Sequence, residues 1–157
     1  MLAHTERPII LPFSNPTSLS EAEPADVLEW SNGQALVATG SPYEPVQLNG
    51  RSHVIGQGNN VFIFPGLGLG ALASDAAQVT DGMVSAAASA LAKSVKEEEL
   101  ATGSLYPSVL RLREVSHQVA LAVALRAVEE GVAPMKTERE VLRACLLYTS
   151  PSPRDRG

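Results

Sequence analysis

Ten residues in the middle of the chain, Gln57-Gly58-Asn59-Asn60-Val61-Phe62-Ile63-Phe64-Pro65-Gly66, restrict its possible folds most severely. Four consecutive large apolar side chains require a core, so the two adjacent carboxamides are held at its mouth. Asparagine is short, uncharged, and both donor and acceptor. An amide pair at that position can hold a carboxylate or a carboxamide without altering any charge. From the residues alone, Val61 to Phe64 reads equally as a buried strand or as the start of a helix.

Two earlier apolar runs supply the sheet on which such a mouth could sit. Arg7-Pro8-Ile9-Ile10-Leu11-Pro12-Phe13 stops at Ser14-Asn15-Pro16-Thr17, and Ala35-Leu36-Val37-Ala38-Thr39 stops at Gly40-Ser41-Pro42. Continuous apolar runs of this length suit buried parallel strands. Pro12 donates no ladder bond and argues against a central position for the first run. In open α/β sheets, ligands bind beyond the carboxyl ends of the strands, where both polar turns fall. Pro16 disfavours α geometry at Asn15. Asn15 is therefore either a turn former or a ligand contact.

Between these runs, Ser18-Leu19-Ser20-Glu21 has capping-box spacing, and Pro24 suits a first helical position. The helix continues through Trp30 and stops at Asn32-Gly33. Val46-Gln47-Leu48, Asn49-Gly50 and Arg51-Ser52-His53-Val54-Ile55 predict a hairpin, because Asn-Gly accepts the positive φ of a type I′ turn. His53, one of three scattered histidines without a ligand-spaced partner, reads as structural.

Gly66-Leu67-Gly68-Leu69-Gly70-Ala71 matches G-x-G-x-x-A, but the pattern needs a strand before it and a second strand ending in an acid about 20 residues on. Residues 79–95 read as helix, Asp75 and Asp81 fall in or beside helices, and Pro65 fits a helix start. These glycines are expected to let a helix pack closely. Thr80 is the expected N-cap of the next helix, whose Met83, Ala87, Leu91 and Val95 mark one buried face. Lys96-Glu97-Glu98-Glu99 reads as a solvated end, since adjacent glutamates diverge around a helix and make a poor metal site. After Leu105-Tyr106-Pro107, a helix through Val109, Leu112, Val115, Val119, Ala122 and Leu125 runs to Glu130-Gly131. Its stretch from Val119 to Leu125 is apolar all round, which implies burial between other elements.

At 157 residues the expectation is one domain. Apolar residues make up 45% and the net charge is −5, which argues against disorder and against a nucleic-acid surface. A single cysteine, Cys145, excludes an internal disulfide framework and fits a cytoplasmic, reducing setting. No apolar run reaches the roughly 20 residues of a membrane helix.

Taken together and in order, several of these stretches carry a resemblance. They are Pro8-Ile9-Ile10, Ser14-Asn15-Pro16-Thr17, Trp30-Ser31-Asn32-Gly33, the run from Ala35 to Pro42, Gly56-Gln57-Gly58-Asn59-Asn60, Ile63-Phe64-Pro65-Gly66, Leu105-Tyr106-Pro107 and Arg113-Glu114-Val115-Ser116. Residues 7–133 closely resemble the carboxyl-terminal part of malic enzyme, most like the bacterial NAD-dependent type. The resemblance implies an α/β fold, a partial Rossmann-like NAD(P)-binding domain with an Asn-Gly hairpin and three carboxyl-terminal helices. It makes the segment from Asn59 onward helical. It places residues 1–135 in that domain and leaves 136–157 as a Ser/Pro-containing tail unlike the family, expected to be disordered.

The implied reaction is oxidative decarboxylation of (S)-malate to pyruvate and CO2 with reduction of NAD or NADP. Magnesium or manganese would act as Lewis acid in the full-length parent. Carried over by motif, Asn15 and Asn59 match the family's ligand-contacting asparagines, with Asn60 the next contact for malate carboxylate or nicotinamide ribose. The family's lysine base, tyrosine acid, substrate arginine, metal ligands and first glycine-rich loop have no counterpart here. The chain alone is therefore expected to be a fragment without turnover, exposing apolar surface, from a homo-oligomeric parent that binds neither nucleic acid nor membrane. The rival readings are part of another Rossmann-type 2-hydroxy acid or amino acid dehydrogenase, or a non-catalytic nucleotide-binding fragment.

Overall fold

Apolar runs bounded by proline and glycine form short strands, and longer runs with a four-residue repeat form helices. A computed structural model describes residues 5–134, 140, 141, 143 and 144. They divide into two compact units, one drawn from Met1–Asn60 and Val95–Arg111, the other from Val61–Ser94 and Leu112–Gly157.

In the first unit, β1 (Ile9–Ile10), β2 (Leu36–Thr39) and β5 (Gly56–Gln57) form a parallel sheet in the order β1-β2-β5. Ile9 pairs with Leu36, and Ala38 with Gly56. Pro12 lies just beyond β1, where its missing N–H costs no ladder bond. Helix α1 (Pro24–Trp30) starts on its proline and buries Val27 and Leu28 against Ala35, Val37 and Ile55. Each large aliphatic side chain removed from water in this way contributes about 1.5–3 kcal/mol. The expected capping box does not form. Residues Thr17–Leu19 make a 3-10 turn, the N-cap of α1 is Glu23, and the Glu21 carboxylate instead accepts from the amide and hydroxyl of Ser14. The hairpin β3 (Val46–Leu48) and β4 (Arg51–His53) pairs in the expected register across Asn49 and Gly50, with φ of 52° and 72°.

The glutamate run departs from its expected solvated character at one position. Glu97–Ala101 is a short helix, α4, and the side chains of Glu99 and Arg111 are each only 17% exposed, 3.0 Å apart. Glu99 also accepts from the amides of Lys96 and Ser108, at 2.8 Å each. Burial works to raise its pKa, but those two amides and the Arg111 charge outweigh it and hold the carboxyl below its usual range.

The second unit is helical: α2 (Phe64–Ser74), α3 (Asp81–Ser94) and α5 (Leu112–Glu129). Helix α5 packs against both others, as its apolar stretch requires, burying Val115, Val119, Ala120, Val123, Ala124 and Ala127. Pro65 stands in the first turn of α2, and Gly66 and Gly70 are where α5 approaches it. A β-carbon at Gly66 would lie 2.6 Å from Val119, and one at Gly70 would lie 2.5 Å from the Ala120 carbonyl oxygen; one at Gly68 would meet nothing. The G-x-G-x-x-A pattern is thus a helix-packing device. Thr80 caps α3 by accepting from the Met83 amide at 3.1 Å. Met83, Ala87, Leu91 and Ser94 form its buried face. Of the expected tail, all but four residues lie outside the described ones; Val141 is buried against Ala73, Ala120 and Ala124.

Helices α1, α2, α4 and α5 stop in the same way, on a residue in the left-handed region: Asn32, Asp75, Gly103 and Gly131. In each, the next amide reaches back five residues, as from Val132 to the Ala127 carbonyl at 3.0 Å, closing a Schellman motif.

Candidate functional site at the carboxyl edge of the sheet

All three parallel strands of the first unit run into polar turns at the same edge: β1 into Ser14-Asn15, β2 into Gly40-Ser41, β5 into Gly58-Asn59. The middle turn joins the outer two. The Ser41 hydroxyl donates to Asn15 Oδ1, and Asn59 Nδ2 donates to the Gly40 carbonyl at 3.4 Å. Thr39, fully buried, donates its hydroxyl to the Ser41 carbonyl at 2.8 Å and accepts at its own carbonyl from the Gly58 amide at 2.8 Å. Asn15 and Asn60 are exposed and Asn59 is half-buried; Asn60 opens the 3-10 turn Asn60–Phe62. Two of the three expected asparagines therefore meet on one dipeptide, and the third follows directly in the chain.

Two glycines make the convergence possible. A β-carbon at Gly40 would lie 2.3 Å from the Phe13 carbonyl oxygen and 2.8 Å from Asn15 Nδ2. One at Gly58 would lie 2.5 Å from the Phe13 ring and 3.0 Å from the Tyr106 ring. Phe13 and Tyr106 themselves pack edge to face, with centroids 6.2 Å apart. Beside them, hydrogen bonds from the Ser14 hydroxyl and amide hold the Glu21 carboxyl below its usual range.

Sequence reasoning missed Gly40, Ser41, Phe13 and Tyr106 as parts of this cluster. The signal available was Gly40-Ser41 at the end of a buried strand, the position already singled out for Asn15. With Oδ1 of Asn15 occupied by Ser41, its Nδ2 is left as the donor. The cluster is thereby suited to oxygen atoms of a carboxylate or carboxamide. Among the described residues, no group of three His, Cys, Asp or Glu could hold a metal ion.

Parallel strands ending together in neutral amide and hydroxyl groups define an α/β unit with a ligand-binding edge at the strands' carboxyl ends. Comparison with known proteins specifies it further. The family "Malic enzyme, NAD binding domain" matches residues 1–128, and the chain belongs to that family. It is 49% identical over 148 residues to NAD-dependent malic enzyme 2 of Photobacterium profundum, covering 94% of this chain and 26% of that protein. It is 45% identical over 156 residues to the NAD-dependent malic enzyme of Psychrobacter cryohalolentis, covering 99% of this chain and 28% of that one. Among solved structures, malic enzyme from Pyrococcus horikoshii superposes with a TM-score of 0.62 at 34% identity, over 89% of this chain and 30% of that one. Entamoeba histolytica malic enzyme superposes with a TM-score of 0.66 at 26% identity, over 90% and 27%. The chain spans about a quarter of the length of the curated relatives it matches. Among the described residues, no helix is long and apolar enough to cross a membrane.

Proposed function

We propose that the chain is the carboxyl-terminal part, residues 1–135, of the NAD-binding domain of a malic enzyme. The whole protein oxidises (S)-malate and releases pyruvate and CO2, in a cytoplasmic homo-oligomer. The observation that carries this reading is the meeting of Asn15 and Asn59 on Gly40-Ser41 at the carboxyl edge of the parallel sheet. Bound at this edge, NAD would supply the hydride acceptor for oxidation of the substrate at C2.

The role of this chain's residues is orientation. Asn15, Asn59 and Asn60 hold the malate carboxylate or the nicotinamide nucleotide, and their neutrality lets an anionic substrate lie beside a cationic ring without an added charge. Such positioning acts through proximity, not proton transfer. A divalent magnesium or manganese ion would supply Lewis-acid chemistry in the full-length parent, held by residues outside the described ones.

Titrating NAD and malate into the chain, followed by backbone amide NMR, tests the reading. Shifts should concentrate at Gly40, Ser41, Gly58 and Asn59, and Asn15→Ala or Asn59→Ala should weaken binding about tenfold, some 1.4 kcal/mol. Shifts elsewhere, or unaltered affinity in both variants, would overturn the site. The chain alone should form no NADH from malate, NAD and magnesium; malate-dependent turnover would refute the assignment of the missing acid–base groups to the parent.

A further inference from the structure

At the opposite edge of the same sheet, the first unit carries a cavity of about 530 Å³ with a different chemistry. It opens where β1 and β2 begin, at Arg7, Ala35 and Leu36, whereas the asparagine cluster lies where they end. At about 3.3 Å per residue, the five steps from Ala35 to Gly40 separate the two by roughly 16 Å. Its other walls are the end of α1, the hairpin and the residues that follow α4.

Three features distinguish this cavity from an ordinary polar dent. Arg7, Arg51 and His53 line it, and among the described residues no aspartate or glutamate does, in a chain whose net charge is −5. Neither Arg7 nor Arg51 takes part in an ion pair among the described residues, although Arg111 and Arg126 do. The walls are also built rather than loose. Asn49 Nδ2 donates to Asn32 Oδ1 at 3.2 Å, tying the hairpin turn to the end of α1. The His53 ring lies over Gly33, where a β-carbon would sit 3.4 Å from Cε1 on a backbone already at φ +75°. The helix-end carbonyls of Glu99 and Leu100 are already occupied by the amides of Thr102, Gly103 and Ser104, so they oppose an anion little.

Two guanidinium groups without carboxylate partners and an imidazole make a set composed largely of donors. We propose that this cavity binds a small dianion through its phosphate or carboxylate oxygens. The site is independent of the nicotinamide reading, since it shares no side chain with the asparagine cluster. A chain with this overall charge repels dianions at long range, so binding here depends on the local guanidinium pair and weakens with ionic strength.

The test uses the 157-residue chain, with inorganic phosphate and succinate as probes and acetate as a monoanion control, followed by amide NMR at low salt. Saturable shifts are expected at Arg51, Ser52, His53, Thr102 and Gly103, and not at Gly40 or Asn59. Tighter phosphate binding would identify a phosphate-bearing ligand, and tighter succinate binding a dicarboxylate; either supports the site. Arg7→Gln and Arg51→Gln should each weaken the preferred probe about tenfold or more, while Arg126→Gln in the second unit leaves it unaltered. Both arginines are exposed, so these variants keep the fold. The proposal falls if neither dianion saturates, if acetate binds as well as the dianions, or if Arg126→Gln weakens binding as much as the cavity variants.

Discussion

Replacing the three glycines of α2 one at a time with alanine separates a packing motif from a nucleotide fingerprint. Gly68→Ala adds a methyl where nothing lies within 4 Å and removes backbone freedom from the unfolded chain. It should stabilise by about 0.5–1 kcal/mol. Gly66→Ala gains the same helical preference but drives its methyl to 2.6 Å from Val119 and 2.8 Å from the Ser116 carbonyl oxygen. Neither partner can swing away: Val119 is β-branched, and the oxygen is backbone within α5. Overpacking of this kind costs about 1–3 kcal/mol, leaving a net loss of about 1–2 kcal/mol. Gly70→Ala, at 2.5 Å from the Ala120 carbonyl oxygen and 2.7 Å from Val123, should lose at least as much. At about 2–4 °C per kcal/mol for a chain of this size, Gly68→Ala should melt a few degrees above Gly66→Ala and Gly70→Ala, with urea midpoints in the same order. Equal stability for all three variants would refute the packing argument. Loss of NAD binding in Gly68→Ala with its stability intact would revive the fingerprint.

Thr80→Ala removes both the cap on the Met83 amide and the hydroxyl's bond to Glu130, and should cost about 1–2 kcal/mol in urea denaturation. Glu99→Gln should destabilise at pH 7 by about 1–2 kcal/mol through lost charge-assisted bonds. Because the folded pKa of Glu99 lies below its unfolded value, that deficit is complete above the unfolded-state pKa of about 4.5 and should shrink as acid titrates the folded carboxyl. A deficit that does not vary with pH would contradict its charged role. Gly58→Ala should perturb the Phe13 and Tyr106 ring resonances and weaken NAD binding, because the methyl has no room beside Phe13; Gly50→Ala, strained by φ alone, should lower stability without affecting that binding.

Much of the architecture was legible because it is encoded within a few residues. The strands at Ile9–Ile10 and Leu36–Thr39, the Asn49-Gly50 turn, the Pro24 start, the Thr80 cap and the stop at Gly131 each follow from local backbone preference or from a hydrogen bond across three or four positions. The asparagines of the candidate site were legible too, from their place after apolar runs and from the family likeness. Where local rules competed with distant partners, they failed. Glu21 has the spacing of a capping residue, yet its carboxylate is taken by Ser14, on the far side of the intervening 3-10 turn.

The sequence by itself determined most of the alternation of strands and helices, several of their starts and stops, and the family to which the chain belongs. Only the tertiary structure decided which of three glycines face a neighbouring helix, which of three glutamates is buried against an arginine, and that Ser41 is the residue on which Asn15 leans. Each of those outcomes depends on atoms brought together from distant parts of the chain, as Ser41 and Asn15 are from 26 positions apart. Local preference extends over about one helical turn, whereas a steric or electrostatic partner is chosen by packing.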